Sequence, residues 1–153
     1  MHKSLQSLKF PNCNFNTEID LILQKKMMIN IGLIAHDGKK PEMVSFVVAH
    51  RHFLKNANIY ATGTTGRHIQ KEGFEVHLLL SGPKGGDAQI AALAATGQLD
   101  VVVFFRDPLD RHPHEPDVQM LMRLCDVHNI PLATNPRAAA LILKGLEQEM
   151  KKA

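Results

Sequence analysis

From residue 29 onward, short apolar runs alternate with longer stretches whose apolar residues recur at helical spacing. That alternation is the pattern of βα units feeding a parallel sheet, whose strands are buried on both faces and so read as continuous apolar runs. It predicts strands over 29–36, 58–62, 75–80, 101–105 and 131–134. Helices are expected over 43–55, 65–71, 87–96 and 118–128 between them, with a terminal helix over 137–151. Gly73, Gly97 and the Asn129, Ile130 pair before Pro131 stand where those helices should stop. The expected fold is therefore single-domain α/β: an open, mostly parallel five-stranded sheet with helices on both faces. Sheets of this kind bind ligands beyond the carboxyl ends of their strands, so the loops after each strand are where chemistry belongs.

A length of 153 residues fits one domain with one buried core. Hydrophobic residues at 44% and charged residues at 22% exclude a disordered or fibrous chain. The first 28 residues differ from the rest. They are polar and Asn-rich, carry Glu18 and Asp20, and lack the apolar core of a secretory signal. Met27 and Met28 sit just before the first strand, so residues 1–28 are expected to be a disordered arm or a misassigned gene start ahead of a domain at 29–153. The longest apolar runs, such as 101–105, fall far short of the roughly 20 residues that cross a bilayer. No membrane partner is expected.

Charge narrows the ligand. The net charge is +3, Lys and Arg are scattered, and there is one Tyr and no Trp to stack on bases. Small anions suit this mild basic excess better than nucleic acid. Cys13 and Cys125 are far apart with no Cys-x-x-Cys pair, which argues against a disulfide framework and a thiolate metal site and makes reducing cytoplasm the default compartment.

The expected loops are dense in polar and ionisable groups. His36, Asp37 and Lys40 follow the first strand, Thr62, Gly63, Thr64, Thr65 and Gly66 the second, and the run from Ser81 and Gly82 to Asp87 the third. Asp107, then His112, His114 and Asp117, follow the fourth. The TGTTG segment sets glycines, hydroxyls and free backbone N–H groups at the start of a helix, which suits phosphate. Its plainer reading is Thr64 or Thr65 as an N-cap with Gly63 in the turn. SGPKGGD lacks the Lys-Ser or Lys-Thr ending of the nucleotide-binding P-loop, and Asp87 could serve as an N-cap there, as a catalytic carboxylate, or both. His112 and His114 flank a proline with no clear third ligand, so no metal is expected. Asp117, in a first helical turn behind Pro116, favours the helix dipole whatever else it does.

Taken together, IGLIAHDGKK, YATGTTG, LLLSGPKGGD, VVVFFRDPLDRHPHEPDV and IPLATN resemble the methylglyoxal synthase family, in order and in spacing, across nearly all of residues 29–140. The resemblance implies a fold of Rossmann or flavodoxin type. It also implies a lyase converting dihydroxyacetone phosphate to methylglyoxal and inorganic phosphate without metal or organic cofactor. Asp87 would then be the catalytic base, His36, Lys40, Thr62 to Thr65, Ser81, Gly82 and His114 would contact substrate, and Asp107 and Asp117 would complete the carboxylates. Asp37 joins the expected binding residues. The resemblance further implies a cytoplasmic homohexamer inhibited by phosphate, serving methylglyoxal biosynthesis as a glycolytic bypass.

The residue types agree with that chemistry. Proton removal beside a ketone makes an enediolate, which needs a carboxylate base at carbon and imidazole or N–H donors at oxygen. There is one departure. The family often carries an arginine beyond its last helix that helps hold phosphate, whereas no arginine follows Arg137 here, leaving Lys40 and the threonines, or Lys144, Lys151 or Lys152, in that role. Two rival readings stand beside the enzyme: a regulatory ligand-binding module of the kind attached to carbamoyl phosphate synthetase, and a flavodoxin-type nucleotide scaffold. The set Asp87, Asp107 and His114 separates the enzyme from the module, and the scaffold rests on fold alone.

Overall fold

The computed structural model describes residues 28–152. All of the expected leader except Met28 lies outside the described residues. Five strands form one sheet in the order β3-β2-β1-β4-β5, with every neighbouring pair parallel: β1 Asn30–Ala35, β2 Asn58–Ala61, β3 Val76–Leu78, β4 Val101–Phe105 and β5 Leu132–Ala133. The sheet is thus wholly parallel.

Both central strands are apolar along their length because both of their faces are covered. In β1 and β4, Ile31, Leu33, Ala35, Val101, Val103 and Phe105 enter one core, while Ile34, Val102 and Phe104 enter a second on the opposite face. The first core is closed by α1 (Lys40–Ala49), α2 (Arg51–Leu54), α3 (Gly63–Lys71) and α6 (Pro136–Lys152), through residues such as Phe46, Leu54, Ile69 and Leu143. The second is closed by α4 (Gly86–Ala95) and α5 (Glu115–Val127), through Ile90, Ala94, Leu121 and Cys125.

The stop signals act as read: Gly73, Gly97 and Asn129 all take left-handed backbone, with φ of 83°, 70° and 54°. The starts differ. Helix α1 begins at Lys40 rather than 43, with Pro41 in its first turn, and separates from α2 at His50, whose Nδ1 lies 2.8 Å from the Phe46 carbonyl oxygen. Strand β3 ends at Leu78 rather than 80, because the Leu80 N–H turns out of the sheet to donate to Gln89 Oε1 of α4. Helices α3, α4 and α5 begin two, one and three residues earlier than their apolar periodicity suggested, at Gly63, Gly86 and Glu115.

From β1 the chain builds outward first through β2 and β3, then on the other side through β4 and β5. The direction reverses between β1 and β4, so the crevice of an open parallel sheet opens beyond the carboxyl ends of those two strands.

Candidate active site

A cavity of about 320 Å³ lies at that crevice, and all four expected loops reach its wall. His36, Asp37, Lys40, Thr62, Thr64, Thr65, Ser81, Gly82, Asp87 and His114 line it. Gly63, Asp107 and Asp117 do not. The Gly63 N–H is spent on the Leu80 carbonyl oxygen, and the Asp107 carboxylate accepts from Leu109 N–H within its own loop. Asp117, in the first turn of α5, lies close enough for its charge to act on Asp87. His112 and Pro113 also line the cavity, although the sequence reading gave neither a role. The available signal was the HPH run itself, set aside as an incomplete metal pair.

His36 follows the last residue of β1, and its N–H donates to the Phe105 carbonyl oxygen at 3.1 Å, tying the loop to β4. The Asp107 N–H donates to His36 Nδ1 at 2.9 Å. An imidazole accepting at Nδ1 carries its proton at Nε2 when neutral. Burial, followed by the positive character of His112, His114 and Arg106, holds the His36 pKa down to about 4 against a weaker opposing pull from Glu115. His36 is therefore a neutral N–H donor at physiological pH, and its buried Nε2 has no partner among the described residues.

Asp87 is fully buried, and neither carboxylate oxygen accepts a hydrogen bond from the described residues. Burial raises its pKa, Asp117 adds to the rise, and His114, with Nε2 at 3.4 Å from Oδ2, pulls the other way. The glycines around it have steric causes. A Cβ on Gly86 would stand 2.0 Å from the Leu80 carbonyl oxygen, and one on Gly82 would crowd the two Asp87 oxygens at 3.1 and 3.3 Å. The N-cap of α4 is Gly85 in left-handed backbone, φ 104°, and Asp87 makes no capping bond. This corrects the capping reading of Asp87. The Thr64 and Thr65 caps are corrected likewise: Thr62 is the N-cap of α3, without a side-chain bond, and both threonines lie in the first turn.

That first turn sets the N-terminus of α3 at the cavity. The helix offers no acceptor to the N–H groups of its first residues, and its dipole is positive there. Thr65 Oγ1 is buried without a partner. Lys40, mostly covered, pairs with the exposed carboxylate of Asp37, and that contact lowers the Asp37 pKa. Lys144, Lys151 and Lys152 do not reach the wall. Lys151 instead pairs with Glu147 along α6. Among the described residues, no three His, Cys, Asp or Glu side chains are grouped to hold a metal ion, and no helix is long and apolar enough to cross a membrane.

The model of the MGS-like domain family matches residues 42–134. The chain belongs to the methylglyoxal synthase family. It is 58% identical over 121 residues to the methylglyoxal synthase of Caldicellulosiruptor saccharolyticus, covering 78% of this chain and 86% of that one. To the methylglyoxal synthase of Carboxydothermus hydrogenoformans it is 52% identical over 120 residues, 78% of this chain and 99% of the other. The crystal structure of methylglyoxal synthase from Elizabethkingia anophelis superposes with a TM-score of 0.72 at 43% identity, covering 76% of this chain and 78% of that chain. The chain is thus an enzyme, a lyase of the methylglyoxal synthase family. His36, Asp37 and Lys40 precede the matched 42–134 range, and the pairing of β1 with β4 carries them to the same cavity as the matched loops.

Proposed function

We propose that this enzyme converts dihydroxyacetone phosphate to methylglyoxal and inorganic phosphate. The observation that carries the proposal is the Asp87 carboxylate, fully buried with both oxygens unpartnered, in one cavity with a neutral imidazole donor and a helix N-terminus. Burial makes Asp87 a stronger base than a solvated aspartate, and the imidazole of His114 against Oδ2 keeps its ionised form accessible.

The phosphate sits on the first turn of α3, held by the N–H groups and hydroxyls of Thr64 and Thr65, with Lys40 supplying charge. Asp87 takes the proton from the hydroxymethyl carbon. The C–H electron pair forms the enediolate double bond, and the carbonyl π pair moves onto oxygen, where His36 Nε2–H stabilises the developing charge. The hydroxyl on the deprotonated carbon then gives up its proton and becomes the aldehyde carbonyl, the enediolate double bond shifts to the phosphate-bearing carbon, and the C–O bond there breaks with its electron pair leaving on phosphate. The resulting enol takes up a proton and ketonises to methylglyoxal. His114, between Asp87 and the substrate oxygens, moves protons during these steps. Asp107 acts through its backbone N–H as the group that fixes the His36 tautomer, and Asp117 through its charge on Asp87.

The same reading carries a domain spanning residues 29–153, a cytoplasmic homohexamer and inhibition by inorganic phosphate, supported by the family alone. The direct experiment is purified protein with dihydroxyacetone phosphate, assayed for both products together. Equal release of methylglyoxal and phosphate is expected. Binding without release would favour a regulatory module and overturn the proposal.

A further inference from the structure

His112 has no part in the steps above, yet it stands closest to the residue that holds the enediolate oxygen. Its ring centroid is 3.6 Å from that of His36, with an interplanar angle of 36°, and both residues line the cavity. His36 otherwise meets Phe104 edge-on at 5.0 Å and His114 edge-on at 5.8 Å. Its ring therefore has one close, tilted partner and two near-perpendicular ones. The Asp107 N–H bond to Nδ1 fixes one edge of the ring and so the tautomer, but a single hydrogen bond leaves the ring free to tilt about that edge.

We infer that His112 is a positioning residue for His36: its ring, packed 3.6 Å from that of His36, limits the tilt, so that Nε2–H is held where the substrate oxygen gains charge. The inference rests on the function proposed above. His112 acts through His36 rather than on substrate, so its loss falls on turnover. A stacked aromatic pair contributes roughly a two- to tenfold factor, and misplacing a donor at a developing charge multiplies such a loss.

The side chains facing His36 are His112 and His114 from the loop after β4, Arg106 at the end of β4, Glu115 at the start of α5, and Phe104 of β4. Of these His112 makes the shortest ring-to-ring approach, which gives the test a readout that needs no substrate. Burial and the fields of its neighbours lower the His36 pKa to about 4, and an NMR titration should show it moving up toward its ordinary value in His112→Ala, because the covering ring is lost. His112→Phe keeps the cover and should lie between.

In kinetics, His112→Ala is expected to lower kcat about tenfold with KM within twofold, and His112→Phe to restore most of that loss. His112→Gln, polar but without a ring, should behave like the Ala variant and stands in for it if that variant does not fold. An unchanged kcat in the Ala variant, a Phe variant as impaired as Ala, a loss carried by KM, or an unmoved His36 midpoint would each overturn the inference. If the wild-type enzyme released no methylglyoxal, the proposed function would fail while the His36 midpoint still decided whether His112 covers the ring.

Discussion

Replacing Asp87 with Asn separates chemistry from structure at the one position where both were in play. The amide keeps the shape of the side chain but cannot take a proton from carbon at neutral pH. Loss of a general base costs on the order of 100-fold to 10,000-fold in rate, which is about 3 to 5 kcal/mol of transition-state stabilisation. The structure also fixes the sign of the stability change. Asp87 makes no capping bond, so no cap is lost. Its pKa in the folded protein is raised by burial, so folding disfavours its ionised form, and the protein gains stability as pH falls from that raised value toward the ordinary 3.8. An Asn variant lacks this penalty. It should melt at or above the wild-type temperature at pH 7, with the difference shrinking as pH falls toward 3.8. The assays are thermal melts from pH 4 to 7 beside initial rates of methylglyoxal release. Near-wild-type turnover would refute the choice of base and leave Asp37, the other carboxylate on the cavity wall.

Three further substitutions probe the rest of the wall. Thr64→Val with Thr65→Val removes two hydroxyls from the first turn of α3; at about 1.5 to 3 kcal/mol per contact to a charged group, KM should rise at least roughly tenfold with the fold intact, and an unchanged KM would remove those hydroxyls from the phosphate site. His114→Gln keeps a hydrogen-bond donor near Asp87 but cannot carry a proton, so kcat should fall far more than substrate binding weakens, as steady-state kinetics will read. Gly82→Ala puts a methyl within 3.1 to 3.3 Å of the Asp87 oxygens, and is expected to lower kcat at least tenfold while circular dichroism stays unchanged.

The strand-to-loop junctions were legible because they rest on signals that act locally. The apolar runs of β1 and β4 and the glycines at 73 and 97 determine where elements lie before any packing is considered. The helix starts were less legible for a definite reason. Periodicity detects residues that face the core, whereas the first turns of α3, α4 and α5 carry Gly63 to Thr65, Gly86 and Asp87, and Glu115 to Asp117, of which Thr64, Thr65 and Asp87 line the cavity. The apolar pattern therefore begins later than the helix, and the displaced turns hold the chemistry. The same cause lies behind the capping assignments. A Thr or Asp ahead of an apolar run looks like a cap by position, but here Thr62 and Gly85 close the helices with backbone alone and release Thr64, Thr65 and Asp87 to the cavity.

What the sequence could not supply is the division of labour among like residues. His112 and His114 are two positions apart in one loop and chemically the same, yet one ring stacks on His36 while the other turns Nε2 to Asp87. Asp87, Asp107 and Asp117 read as three carboxylates of one site, yet one lines the cavity, one contributes a backbone N–H and one acts only through its charge. His36 shows the consequence most directly. Its neutral state depends on burial and on the fields of His112, His114 and Arg106, and its tautomer on an N–H donated 71 positions away in sequence. In the proposed mechanism one enclosure raises the carboxylate, which makes it a stronger base, and lowers the imidazole, which keeps it neutral, while His114 against Asp87 opposes the rise and favours the ionised form. Opening that enclosure would bring the two pKa values back toward their ordinary ones. Under the proposed mechanism the base would then be weaker and the donor chargeable, so that mechanism requires the pocket to stay closed.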